Sequence, residues 1–150
     1  MARRLVSVRV DAQLLAQVRR ELGARTESEA IRRALDLARE LGAAHVIDSR
    51  GASPAEAVME LTGGGAHVSV DALGIAETCV NSVRSLRKRG RHLQIGVTTK
   101  TEGGIIGVPT DEMVRKELTF LGSFGMPTHE YASMIQMVVD RRLQPGRLVT

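Results

Sequence analysis

The 150-residue sequence holds one cysteine, Cys79, which excludes an internal disulfide and any zinc site built from several thiolates. Set in a helical pattern among apolar neighbours, it is expected to be a buried core thiol. Aromatic residues make up 2% of the chain, too few for a platform that stacks the bases of single-stranded nucleic acid. No apolar run is long enough for a membrane helix, and the opening Met-Ala-Arg-Arg leads into an alternating segment instead of a secretory leader. The expectation is a cytoplasmic protein with no membrane partner. His45, His67, His92 and His129 show no His-x-x-x-His or cysteine-rich spacing, so each is expected at the surface or a strand edge, with no metal site.

What is present is ordinary globular composition, 43% hydrophobic and 25% charged, enough for a real core in one domain or one domain plus a small module. The formal charge is +4 with an isoelectric point near 10.0. Residues 1–43 carry nine arginines against six carboxylates, and so hold +3 of that excess. Every cation in this stretch is arginine, whose planar fork suits phosphates and guanine edges. A modest excess also fits a solvated surface.

The first forty-three residues read as strand, helix, helix. Leu5-Val6-Ser7-Val8-Arg9-Val10 alternates, with Val6, Val8 and Val10 on one face. Asp11 caps a helix over 12–22, with Leu15, Val18 and Leu22 on one stripe and Gly23 as its stop. Thr26-Glu27-Ser28-Glu29 is a capping box for a second helix, whose apolar face is Ile31, Ala34, Leu35, Ala38 and Leu41. Elements this short need a partner chain to bury their apolar faces. The order, with Val8-Arg9-Val10-Asp11 and Gly23-Ala24-Arg25-Thr26-Glu27-Ser28-Glu29-Ala30-Ile31-Arg32, resembles the ribbon-helix-helix repressors and antitoxins over residues 3–42. The resemblance implies a homodimer whose antiparallel ribbon enters the major groove of double-stranded DNA, and for antitoxins a cognate toxin as partner. It further implies that Ser7 and Arg9 face base edges while Thr26 and Ser28 hold phosphate. Capping alone also explains Thr26.

Beyond residue 36 the pattern alternates strands near 44–48, 66–72, 91–97 and 118–124 with helices near 54–62, 76–89, 111–117 and 128–142. Ser53-Pro54-Ala55-Glu56 combines a capping box with proline at the first helical position, and Arg84, Lys88 and Arg89 crowd the end of a helix before Gly90. Such alternation predicts a parallel α/β sheet. The runs Leu-Gly-Ala-Ala-His-Val-Ile-Asp, Met-Glu-Leu-Thr-Gly-Gly-Gly-Ala-His-Val-Ser-Val-Asp-Ala-Leu-Gly, Gly-Arg-His-Leu-Gln-Ile-Gly-Val and Glu-Leu-Thr-Phe-Leu-Gly-Ser-Phe-Gly are similar to the third to sixth strands of the nucleotide-binding domain in medium-chain, zinc-type alcohol dehydrogenases.

A dinucleotide site of that kind uses a first strand, a Gly-x-Gly-x-x-Gly turn and an acidic residue about 20 positions on. Gly63-Gly64-Gly65 lies between a helix and a strand, the wrong context for a phosphate loop, and reads as a helix stop. Gly103-Gly104 sits in a loop, and Asp48 and Asp71 read as turn-capping residues at strand ends. The resemblance leaves a vestigial half-site for the nicotinamide side at Gly96, Val97, Ser123, Phe124 and Gly125. The expectation is therefore an α/β chain: a ribbon-helix-helix head (1–43) followed by an incomplete parallel Rossmann-type sheet of up to four strands (44–150). It is expected to bind DNA, to carry neither NAD(P) nor zinc, and to have no catalytic residues. The alternative is a truncated zinc-type alcohol dehydrogenase-like protein, inactive or dependent on a missing part. One structural choice stays open, because Leu5–Val10 serves either as the ribbon of a dimer or as a strand repairing the sheet.

Overall fold

The computed structural model describes residues 5–8, 16, 19–20, 23–49, 53–125 and 127–147. Arg9, Asp11 and the stripe Leu15, Val18 and Leu22 of the helix expected over 12–22 lie outside the described residues. Strands β1 (Leu5–Val8), β2 (His45–Asp48), β3 (Ala66–Asp71), β4 (Leu86–Gln94) and β5 (Thr119–Gly122) are interleaved with helices α1 (Glu27–Glu40), α2 (Pro54–Thr62), α3 (Ala76–Arg84) and α4 (Thr110–Lys116). Helix α5 (Tyr131–Val139) follows β5.

Among the described residues every strand pairing is parallel, and the strands form a two-stranded sheet, β1-β2, and a three-stranded sheet, β3-β4-β5. The register of β1 runs Leu5 beside His45, Val6 beside Val46, Ser7 beside Ile47 and Val8 beside Asp48. This pairing is parallel and within the chain, not the antiparallel ribbon expected, and it does not fill the open edge of β3, where a strand repairing the sheet would lie. The surrounding strand-helix alternation favours it, since parallel neighbours need a crossover connection and α1 supplies one.

The helix boundaries follow local chemistry. Thr26 caps α1, its Oγ1 accepting from the Glu29 N–H at 3.1 Å, while Glu29 accepts from the Arg25 N–H at 2.8 Å and pairs with Arg33 at 2.7 Å. The Arg25 N–H holds the Glu29 carboxyl below its ordinary range, and Arg33 adds to this. Thr26→Ala is expected to cost about 1 kcal/mol of stability. An unchanged thermal melting curve would show that the cap contributes nothing. Helix α2 starts at Pro54 after the Ser53 cap and stops at Gly63, which is left-handed at φ 65° and donates to Glu60 O at 3.2 Å. Gly64 donates to Met59 O and Gly65 to Thr62 Oγ1, so the three glycines form a helix stop, as expected.

One boundary differs from expectation. The helix expected over 76–89 ends at Arg84, and β4 begins at Leu86. Leu86 is completely buried and draws the chain into the sheet early, and the β3-β4 register shifts between Ala66 and Val68 to absorb it. Lys88 and Arg89 therefore do not cap a helix; both pair with Glu117, at 3.1 and 2.8 Å. The core is built from small and branched side chains, with Ala55 and Val58 of α2, Cys79 and Val83 of α3 and Leu86 of β4 all buried. Among the described residues no helix is long and apolar enough to cross a membrane.

Candidate cofactor site

The C-terminal ends of β3, β4 and β5 lie side by side because all three strands run in the same direction. Asp71, the last residue of β3, is 3% exposed. Its carboxylate accepts from the Leu73 N–H at 3.0 Å, the Gly74 N–H at 3.2 Å, the Thr78 hydroxyl at 2.9 Å and the Gln94 side-chain amide at 2.7 Å. Its main-chain carbonyl accepts from the N–H groups of Ile95 and Gly96. One residue thus ties the β3 loop, the first turn of α3 and the β4 loop together.

Behind Asp71 the polar chain continues inward. Gln94 Nε2 also donates to Gly96 O at 2.9 Å, so Gln94 Oε1 is left to accept from His92 Nε2 at 3.0 Å. That requires a proton on Nε2, and Nδ1 lies 3.2 Å from the Ser69 hydroxyl and 3.1 Å from the Ser82 hydroxyl. His92 is 1% exposed, its ring 4.5 Å from that of Phe120. The expectation of a surface or strand-edge histidine is wrong at His92, because Ser69, Ser82 and Gln94 satisfy its ring inside the layer between β4 and α3. Cys79, on α3, is the buried thiol expected; burial pushes its pKa above the ordinary 9.0, and the Asp71 charge adds to this.

The loops on this network touch. A Cβ on Gly74, which sits at φ +82°, would come within 2.3 Å of Val97 O, and one on Gly96 within 2.3 Å of Gly74 N. Only glycine permits this approach. The sequence-predicted residues follow directly: Gly96 and Val97 leave β4, Ser123, Phe124 and Gly125 leave β5, and Ser123 N donates to Gln94 O at 2.9 Å. Val97 is 69% and Phe124 91% exposed. Two apolar side chains are therefore presented to solvent at the edge where ligands of open parallel sheets bind. The structure places these five residues just beyond the ends of two adjacent strands. It does not join them to the DNA-reading set: Ser7 sits in β1 beside Ile47, Arg9 is outside the described residues, Thr26 serves as a cap, and Ser28 is exposed in the first turn of α1. Asp71 caps the turn after β3, as expected, while its wider role and the parts of Gly74, His92 and Gln94 are what sequence reasoning missed. The signal available was Asp71 followed three residues later by Gly74 at a strand-to-helix turn.

This edge fits the nicotinamide end of a dinucleotide, which needs apolar cover and closely approaching backbone. It does not fit zinc: among the described residues no group of three or more His, Cys, Asp or Glu side chains could hold a metal ion.

The family described as zinc-binding dehydrogenase matches residues 13–140, starting inside the segment read as a DNA-binding head. Sorbitol dehydrogenase of Halalkalibacterium halodurans is 26% identical over 117 residues, covering 77% of this chain and 33% of that protein. Alcohol dehydrogenase TADH from Thermus sp. ATN1 superposes with a TM-score of 0.72 at 21% identity, over 99% of this chain and 36% of that one. A zinc-binding dehydrogenase from Sinorhizobium meliloti 1021, solved bound to NADP, gives a TM-score of 0.67 at 27% identity, over 75% of this chain and 33% of that one. The chain spans about a third of the length of these relatives. The expectation of a chain without a cofactor is overturned, because the matched family is one of dehydrogenases and a matched structure holds NADP. Of the two functions left open by the sequence, the dehydrogenase-like one is supported and supersedes the DNA-binding one. This chain belongs to the zinc-binding dehydrogenase family.

Proposed function

We propose that the chain is the cofactor-binding part of an NAD(P)-dependent dehydrogenase acting on an alcohol or polyol, and that it supplies the nicotinamide side of the dinucleotide site. The observation that carries this reading is the convergence of Gly96, Val97, Ser123, Phe124 and Gly125 at the C-terminal ends of adjacent parallel strands. When bound, the cofactor accepts or returns a hydride. The chain's own part is to position it: backbone at the two strand ends lines the ring, and Val97 and Phe124 keep water from one side of it. The Asp71–Gln94–His92 network ties the β4 loop to the β3 loop before the ligand arrives, so less ordering is needed there on binding.

The reading is tested by amide chemical shifts during titration with reduced nicotinamide mononucleotide and, separately, with AMP. The mononucleotide is expected to move the amides of Gly96, Val97 and Ser123–Gly125, and to move them more than AMP does. Equal or larger shifts at those amides with AMP, or mononucleotide shifts confined to another part of the chain, would reject it.

A further inference from the structure

Residues two apart on a strand share a face, so His92 and Gln94 of β4 lie on the side that α3 covers, with Asp71 in register beside Gln94. The Gln94 side chain is half-buried there, and its neighbours decide which end of its amide is which. The Asp71 carboxylate at 2.7 Å and Gly96 O at 2.9 Å can only accept, so the NH2 group faces them. The carbonyl end, Oε1, then meets His92 Nε2 at 3.0 Å. All three neighbours require the same orientation. Gly96 is thereby held at both of its polar groups: its N–H donates to Asp71 O at 2.9 Å, and its carbonyl accepts from Gln94. A trans peptide unit is planar, with its C=O and N–H pointing in opposite directions. Pinning Gly96 O inward therefore aims the Val97 N–H outward, away from the network. Among the described residues that N–H donates to no protein acceptor, and the Val97 side chain beside it is 69% exposed. On the other side the Val97 carbonyl rests against Gly74, where a Cβ would come within 2.3 Å.

We infer that Gln94 is a positioning residue for the nicotinamide end of the cofactor: by holding Gly96 O it turns the Val97 N–H toward the ligand as a donor, a role that rests on the cofactor reading proposed above. Gln94 acts through the Gly96–Val97 peptide and not by touching the ligand. Asp71 and His92 hold the amide, the amide holds the peptide, and the peptide meets the cofactor. An apolar side chain of the same length would fill the same space and leave that peptide free to rotate.

Two measurements on the full chain with reduced nicotinamide mononucleotide test this role. In the parent, the side-chain NH2 signals of Gln94 are expected to shift during the titration with the same half-saturation as the Val97 amide, because the ligand pulls on a peptide that Gln94 holds. Gln94→Met keeps the length of the side chain and removes both polar ends. It is expected to weaken mononucleotide binding about tenfold, the worth of one hydrogen bond, with the Ser123–Gly125 amides still responding at higher ligand concentration. Thr26→Ala, which loosens the cap of α1, is the control and is expected to bind as the parent does. Both variants are assayed well below their melting temperatures, so that lost stability by itself does not change the affinity. Gln94 NH2 signals that stay still while the Val97 amide shifts overturn the inference, and they decide alone if Gln94→Met does not fold. Equal weakening by Gln94→Met and Thr26→Ala also overturns it. A parent in which neither Val97 nor Ser123–Gly125 responds rejects the cofactor reading and this role with it, whereas a responding parent matched in affinity by Gln94→Met rejects the role alone.

Discussion

Asp71→Ala is expected to lower stability by about 3 kcal/mol or more, seen as a large drop in the urea midpoint. The substitution strips the acceptor from four donors, the N–H groups of Leu73 and Gly74, the Thr78 hydroxyl and the Gln94 amide, at a site 3% exposed. Water has little access to replace it, and each buried donor left without a partner costs about 1–3 kcal/mol. Asp71→Asn keeps the shape but turns an NH2 group toward at least one of these donors, so its midpoint should fall between those of the parent and the alanine variant. A midpoint for Asp71→Ala within error of the parent would show that the network is incidental to the fold.

Gly74→Ala is the second large effect. Its Cβ would stand 2.3 Å from Val97 O, a backbone atom that moves only if the β4 loop moves, and the residue is held at φ +82°. The left-handed conformation costs about 1–2 kcal/mol and the overlap about 1–3 kcal/mol more, and the β3 and β4 loops should separate. The response of Gly96 and Val97 to reduced nicotinamide mononucleotide should disappear with it. Gly103→Ala is the control, since it shares the positive φ but meets nothing within 4 Å. It should show the conformational cost alone and keep the nicotinamide response. Equal losses in the two variants would mean that the contact between the loops is unimportant.

The parallel sheet and the capped helices were legible because their signals are local. Thr26, Ser53-Pro54 and Gly63 announce their helix ends by side-chain chemistry, and the structure uses each of them so. The partner of β1 was not legible, since an alternating strand reads the same beside a copy of itself as beside β2, where the structure has it. The Asp71–Gln94–His92 chain was hidden for a different reason. Its members come from β3 and β4, twenty-odd residues apart, and meet only through the parallel register that sets Asp71 beside Gln94 and Ser69 beside His92. The early start of β4 reflects a contest between helix-compatible charges at 87–89 and the burial of Leu86, and burial prevailed.

The central claim is that this chain holds the nicotinamide end of its cofactor at the C-terminal ends of β4 and β5. Saturation-transfer difference NMR on NADH in the presence of the chain tests it most directly, since it ranks the cofactor's own protons by their closeness to protein. The account predicts the strongest saturation on the nicotinamide ring protons and the weakest on adenine. The opposite ranking, with adenine protons strongest, would contradict it.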